Sequence, residues 1–299
     1  MSPEKAGDIL KSQMPLWAEK GIVGQIAFFG GTFTGLSFDE MQAYLSVAAP
    51  YVQNGVVNGI RISTRPDCID QEILNFLSRN GVTHIELGVQ SMDDEVLRRA
   101  GRGYNASVVE QSAKLIRQSG MVLGVQLMPG LPGDTAEKSI FSARRVIELG
   151  ASEIRLYPTV VLKDTPLAEL WQRGDYTPMG VEAAVSLCAT LKQMFEENHL
   201  RVLKVGLHSG AVEQDVLAGP FHPAFGQLVD SRICLEMMNS HCTKKQLKNT
   251  DLFVLPNCYD VSDILGQRRA NVSALQTNFG ISLKISKKVL TNAENFIIL

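Results

Sequence analysis

What this chain has least of is cysteine in a usable arrangement. Its five cysteines, Cys68, Cys188, Cys234, Cys242 and Cys258, are odd in number, and no two stand at C-x-x-C or C-x-x-x-C spacing. That argues against a disulfide framework and a local metal knuckle, and buried or incidental thiols are the commoner case. No apolar run approaches the roughly 20 residues that cross a bilayer, so no membrane partner is expected. Neither sign of charge dominates. The 29 Lys and Arg against 31 Asp and Glu leave a formal net charge of −2, which gives no global field for nucleic acid or anionic lipid but leaves room for a local basic patch. Met1-Ser2-Pro3-Glu4-Lys5 has no signal-peptide character, and a cytoplasmic location is expected.

What is present reads as an α/β protein. With 45% hydrophobic and 20% charged residues the composition is that of a soluble globular chain. From residue 22 to about 206 short apolar runs alternate with amphipathic stretches. Strands are expected at Ile22–Phe29, Val57–Ser63, His84–Val89, Val122–Met128, Glu153–Tyr157 and Val202–Gly206, the rhythm of a parallel sheet with helices outside it. Ser37-Phe38-Asp39-Glu40 is a capping box, followed by Phe38, Met41, Leu45 and Ala48 on one helical face. Ser107 is expected to cap the helix ending at Gly120, and Asp134 with Glu137 to open the helix ending at Gly150. Gly81, Gly120 and Gly150 stand where left-handed C-cap glycines belong. Residues 3–20 look helical, with Pro15 expected to break or kink the pattern. Past 210 the rhythm changes. Helices near 224–239 and 261–278 and strands at Asp251–Leu255 and Ile281–Ile285 suggest a smaller α+β extension. Domains are therefore expected at 1–210 and 211–299.

Parallel β/α folds gather ligand-contacting residues at the carboxyl ends of strands. The first strand ends in Phe28-Phe29-Gly30-Gly31-Thr32, whose glycines let backbone approach a ligand or simply form a tight turn. The second ends in Ser63-Thr64-Arg65-Pro66-Asp67, with hydroxyls suited to a ribose or to an ordinary turn. The third ends in Gly88-Val89-Gln90-Ser91, followed by Gly101-Arg102-Gly103. An amide at the end of an apolar strand is costly unless paired, and Arg102 offers a planar fork to a carboxylate. Gln126 repeats the pattern before Met128-Pro129-Gly130-Leu131-Pro132-Gly133, and Arg155-Leu156-Tyr157-Pro158-Thr159 closes the series. His208 and His222 stand in or beside a loop rich in Gly, Pro and Phe. Gln267-Arg268-Arg269 and Lys284-Ile285-Ser286-Lys287-Lys288 are short basic runs, usually solvated faces.

Taken in order, Ala27–Leu36, Ser63–Asp67, Glu86–Ser91 with Gly101–Gly103, and Arg155–Thr159 followed by Thr165-Pro166-Leu167 and Leu170-Trp171 resemble the radical SAM superfamily. The likeness is to the branch of the Elongator catalytic subunit and oxygen-independent coproporphyrinogen oxidase. The resemblance implies a partial (β/α)6 barrel and a [4Fe–4S] cluster that reductively cleaves S-adenosylmethionine to a 5′-deoxyadenosyl radical. It implies that Gly30, Gly31 and Thr32 hold the methionine amino group. Ser63 takes the ribose position, where the oxidases carry a glutamate. Gln90 and Arg102 contact S-adenosylmethionine, and Gln126 stands where the oxidases have an aspartate. The family's CxxxCxxC cluster ligands, just upstream of the first strand, have no counterpart here. The chain is therefore expected to be truncated before or through that motif and to lack the first barrel strand, which leaves a sheet edge open. Three functions stay open: a radical SAM enzyme of unknown substrate, an RNA-modifying member, and a cluster-less binding or scaffold protein.

Overall fold

The computed structural model describes residues 1–21, 23–207, 210, 213–288 and 295–299. They form two compact units, one of Met1–Tyr157 with Phe195–Leu203 and the other of Pro158–Met194 with Lys204–Leu299. The boundary expected at 210 falls inside the second unit.

In the first unit, β1 (Ile26–Phe28), β2 (Ile60–Thr64), β3 (Val82–Gln90), β4 (Val122–Leu127) and β5 (Glu153–Leu156) lie side by side in chain order, with the strand Arg201–Val205 beyond β5. Each neighbouring pair from β1 to β5 is parallel. Such pairs need a crossover, which the intervening helices supply. Among the described residues β1 pairs only with β2.

The side chains alternate. Ile60 and Ile62, Ile85 and Leu87, Leu123 and Val125, and Ile154 and Leu156 are all at most 1% exposed and form the core face. Their neighbours Arg61, Ser63, His84, Glu86, Gly88, Gly124, Gln126, Glu153 and Arg155 stand on the other face, because successive residues of a strand point to opposite sides. A parallel sheet covered on both faces usually reads as continuous apolar runs. This sheet has one apolar face and one polar face.

Helix ends follow the cap chemistry more closely than the expected boundaries. Ser37 forms both halves of its capping box ahead of α2 (Phe38–Gln53). Met41, Leu45 and Ala48 are buried there, whereas Phe38 is 43% exposed and meets Phe76 edge-on at 5.1 Å. The helix Ala106–Gln118 is capped by Asn105, which accepts from Val108 N, and not by Ser107. The helix Ala136–Glu148 is capped by Thr135, not Asp134. In both cases the side chain one residue before the helix has the reach to its third amide. The helix Pro3–Glu19 runs through Pro15 without interruption, held by buried Ala6, Gly7, Leu10 and Met14. Gly81, Gly120 and Gly150 all have φ between +73° and +80°, as C-cap glycines require.

In the second unit the expected strand Asp251–Leu255 is the centre of a parallel three-stranded sheet, flanked by Ser282–Ile285 and by Phe296–Ile298, which the sequence reading missed. The helix expected at 261–278 is two, Val261–Leu265 and Ala270–Phe279, because Gly266, Arg268 and Arg269 adopt φ of +73°, +50° and +62° between them.

Candidate functional site

The loop after β1 exposes backbone. Gly30 has φ +111°, and a Cβ placed on Gly30 or Gly31 would meet nothing within 4 Å. At Gly30 it is the conformation, and not crowding, that asks for glycine, and the peptide groups stay accessible. The Ser63 hydroxyl donates to the Gly31 carbonyl at 3.3 Å and so ties the ends of β1 and β2 together. Behind them the Thr34 hydroxyl lies 2.5 Å from both the Thr64 hydroxyl and the Cys68 carbonyl. Only the latter can serve purely as acceptor, so Thr34 donates to Cys68 and accepts from Thr64. Thr32 stands at the exit of the glycine loop, before a short helical turn.

One strand further on, Gln90 ends β3 in the left-handed region at φ +69°. The β3–β4 register slips between Gly88 and Gln90, a bulge that re-aims the side chain. Gln126 Nε2 donates to Gln90 Oε1 at 3.0 Å, and the Gln90 carbonyl accepts from Met128 N at 2.9 Å. Arg102 joins this pair. Its Nη2 donates to the Gly88 carbonyl at 3.3 Å and its Nε to the Tyr104 hydroxyl at 2.9 Å, while that hydroxyl donates to the same carbonyl at 2.6 Å. A Cβ on Gly88 would lie 2.8 Å from Gln90 Nε2 and 3.7 Å from Arg102 Nη2, so glycine is what lets the amide and the guanidinium share that spot. Arg65 and Arg102 sit 5.6 and 5.2 Å from the Tyr104 ring centre. Burial pushes the Tyr104 phenol above its usual range, and Arg102 works against that. Arg65 in turn forks onto Asp67 at 2.8 and 2.6 Å and holds that carboxyl below its usual range.

Below this edge, on the same polar face, lies a charged row that the sequence reading did not anticipate. Arg61 pairs with Glu153 at 2.6 Å, Glu86 pairs with Arg155 at 2.8 Å and lies 3.9 Å from Arg61, and Arg201 reaches Glu153 at 3.3 Å. Arg61, Glu86 and Glu153 are each at most 7% exposed. Gln25 accepts from Arg61 Nε and Nη2 at 3.2 and 3.0 Å and faces the His84 ring at 2.8 Å. Burial, and then Arg61, push the His84 pKa below its usual value. Arg155 also donates to the Tyr157 hydroxyl at 3.2 Å and stacks on Phe29 at 4.9 Å, which links the row to the strand ends. The signal was in the sequence, as Arg61 and Ser63 on β2, His84 and Glu86 on β3, and Glu153 and Arg155 on β5, each pair two residues apart.

A model of the radical SAM superfamily matches residues 6–141, and one of the radical SAM C-terminal domain matches residues 151–234. The chain belongs to the radical SAM superfamily. It is 34% identical over 192 residues to a tRNA uridine(34) acetyltransferase of Dehalococcoides mccartyi, covering 57% of this chain and 41% of that protein. It is 37% identical over 137 residues to Elongator complex protein 3 of Schizosaccharomyces pombe, covering 44% and 25%. Thus the chain spans well under half the length of these curated relatives. An N-terminally deleted Elp3 from Methanocaldococcus infernus superposes with a TM-score of 0.68 at 21% identity, over 83% of this chain and 62% of that one. That likeness concerns the fold alone and makes the sheet a half-barrel of the radical SAM type.

For a radical SAM protein the cysteines are then the pressing question. Cys68 is half-buried at the end of β2 and Cys258 is exposed, whereas Cys188, Cys234 and Cys242 are buried. Burial pushes the Cys188 and Cys234 thiols up to about 12, the reverse of what a thiolate ligand needs. Among the described residues no three His, Cys, Asp or Glu side chains converge on a metal position. An iron–sulfur cluster therefore does not fit these residues, and no chemical step is assigned through one. Asp134 accepts from Gly130 N and the Ser139 hydroxyl, both at 2.7 Å, and burial raises its pKa. His222 accepts from Ala224 N at 3.0 Å in a local turn, and His208 lies outside the described residues.

Proposed function

We propose that the carboxyl edge of β1–β4 binds S-adenosylmethionine. The exposed peptide groups of Gly30 and Gly31, with Thr32, take the methionine end, and Ser63 faces the ribose. Gln90, Gln126 and Arg102 offer two amides and a guanidinium to the remaining polar atoms. The bound group supplies a sulfonium whose carbon–sulfur bond is the reactive one. This chain's residues bind and orient it. The observation that carries the reading is the Gln126–Gln90–Arg102 cluster. Gln90 is held in a conformation costing about 1–3 kcal/mol, in a bulge, beside a glycine that keeps the space open. Strain of this kind is kept where it positions a working side chain. We further read the macromolecule acted upon as tRNA, on the strength of the tRNA uridine(34) acetyltransferases among the relatives.

Titration calorimetry of the purified chain with S-adenosylmethionine tests the first reading. A few hydrogen bonds, each contributing about 0.5–1.5 kcal/mol, give weak but measurable binding. Gln90→Ala and Arg102→Ala are each expected to weaken it about tenfold, the equivalent of roughly 1.4 kcal/mol, with the melting temperature little changed. Tight binding untouched by either substitution would put the ligand elsewhere.

A further inference from the structure

Charge is distributed unevenly along this chain. Residues 241–288 hold six Lys and two Arg against three Asp and no Glu, a local net charge of +5 in a chain whose total is −2. Lys244, Lys245, Lys248, Lys284, Lys287 and Lys288 are all exposed, as are Arg268 and Arg269. None of the eight forms an ion pair among the described residues. In the first unit, by contrast, Arg98 and Arg99 both bind Glu95, Lys138 binds Asp93 and Arg145 binds Glu110. Of the three acids, Asp263 is buried and Asp251 half-buried, so only Asp260 faces the same solvent.

The topology lines these cations up. The strands Asp251–Leu255 and Ser282–Ile285 are parallel, so the helix Ala270–Phe279 between them runs back along the sheet. Its start therefore lies at the sheet's carboxyl end, and its end lies at the amino end. Arg268 and Arg269, just before the helix, share the carboxyl end with Lys287 and Lys288, where Ser286 N still bonds the Val254 carbonyl at 2.7 Å. Lys248 lies at the amino end, where Asn249 N bonds the Phe279 carbonyl at 2.9 Å, and Lys244 and Lys245 precede it. Lys284 lies between the two groups in height on the flanking strand, but its side chain is on the face opposite that of the buried Leu283 and Leu252. Four strand residues rise about 13 Å, so the two groups mark the ends of a stripe and not a point. Arg268 and Arg269 are also adjacent non-glycine residues at positive φ, a conformation rare for L side chains.

We propose that this stripe is a surface for the phosphate backbone of RNA. Extended Lys and Arg arrays neutralise successive phosphates whatever the base sequence. A membrane surface would call for an amphipathic helix with its apolar face outward, yet Ile264 and Leu275 of the two helices here are fully buried and Val261, at 42%, is their one largely exposed large apolar residue. The choice of RNA rests on the tRNA reading above, while the stripe itself is independent of the S-adenosylmethionine edge.

Fluorescence anisotropy of the full chain with labelled total tRNA tests this. Arg268→Gln/Arg269→Gln and Lys287→Gln/Lys288→Gln should each weaken binding about tenfold. Each should also lower the slope of log affinity against log salt by roughly two, about one per lost phosphate contact. Arg98→Gln/Arg99→Gln, an equal change of charge in the first unit, should leave binding unchanged. Thermal melts should coincide, because all the substituted residues are exposed. If tRNA binds and neither C-terminal double variant moves it, the RNA reading stands and this surface falls. If tRNA does not bind while phosphatidylserine–phosphatidylcholine vesicles are captured through the same residues, the stripe is a membrane surface and both readings fall.

Discussion

The polar face of the half-barrel has two regions that differ in how their charges are settled. In the lower row Arg61, Glu86, Glu153 and Arg155 answer one another, and Gln25 fills in against Arg61. At the carboxyl edge Gln126 holds Gln90, Arg102 is held by the Gly88 carbonyl and the Tyr104 hydroxyl, and among the described residues no carboxylate pairs with Arg102 within salt-bridge distance. A charge that already has its counter-charge has little to offer a ligand, whereas amides and a guanidinium bound to neutral groups keep most of their capacity. On the function proposed above, the lower row is scaffold and the edge is what the ligand meets.

The sharpest way to break that comparison is Glu86→Ala. It leaves Arg155 without its carboxylate and Arg61 with only Glu153, in a region almost closed to water. Removing one partner of a buried pair typically costs about 3–5 kcal/mol, and denaturant unfolding should show a loss of that size. A loss below about 1 kcal/mol would mean that the row does not hold the face together.

At the edge the balance should reverse, with binding moving more than stability. Gln90→Gly removes the strain of a non-glycine residue at φ +69°, a gain of about 1–2 kcal/mol. It also loses the hydrogen bond from Gln126, at about 0.5–1.5 kcal/mol. Unfolding free energy should therefore stay within about 1 kcal/mol of the parent by these magnitudes, while affinity for S-adenosylmethionine falls. Gly88→Ala should do the same by another route, because its Cβ would displace the Gln90 amide and not backbone. Were either variant to unfold the chain and spare binding, the two regions would have to exchange roles.

Much of this could be read from the residues alone, and the part that could not has physical causes. Strand positions and C-cap glycines were legible because alternation and left-handed glycine are local properties. The strand ends carrying Gly30, Ser63, Gln90 and Gln126 were legible for the same reason. Asn105 and Thr135 were missed as caps because several side chains nearby can fill an N-cap, and only backbone geometry chooses among them. The break at Gly266–Arg269 was hidden because arginine is a poor witness for positive φ. The lower row needed register. Arg61, Glu86 and Glu153 lie far apart in sequence, and their pairing appears only when Ser63 is set beside Glu86 and Gly124 beside Glu153.

The smallest expected effect lies at the margin of the lower row, at His84. Its ring is held between Gln25 and Thr83, with Arg61 nearby, and burial and then Arg61 lower its pKa in the folded chain. The unfolded chain, with an ordinary histidine pKa near 6.5, takes up the proton first. The contribution to stability is therefore complete above about pH 6.5 and is lost as pH falls toward the lower folded value. Below that value both states are protonated and the loss stops growing. One proton limits the slope to about 1.4 kcal/mol per pH unit. Other groups titrate in the same range, Asp134 with a raised pKa among them, so the measurement is a difference. Unfolding free energies of the parent and of His84→Gln should diverge steadily between pH 7 and about pH 5.5, with the parent the steeper. Parallel curves would show that His84 does not feel Arg61, and that the row's field stops short of the ring beside it.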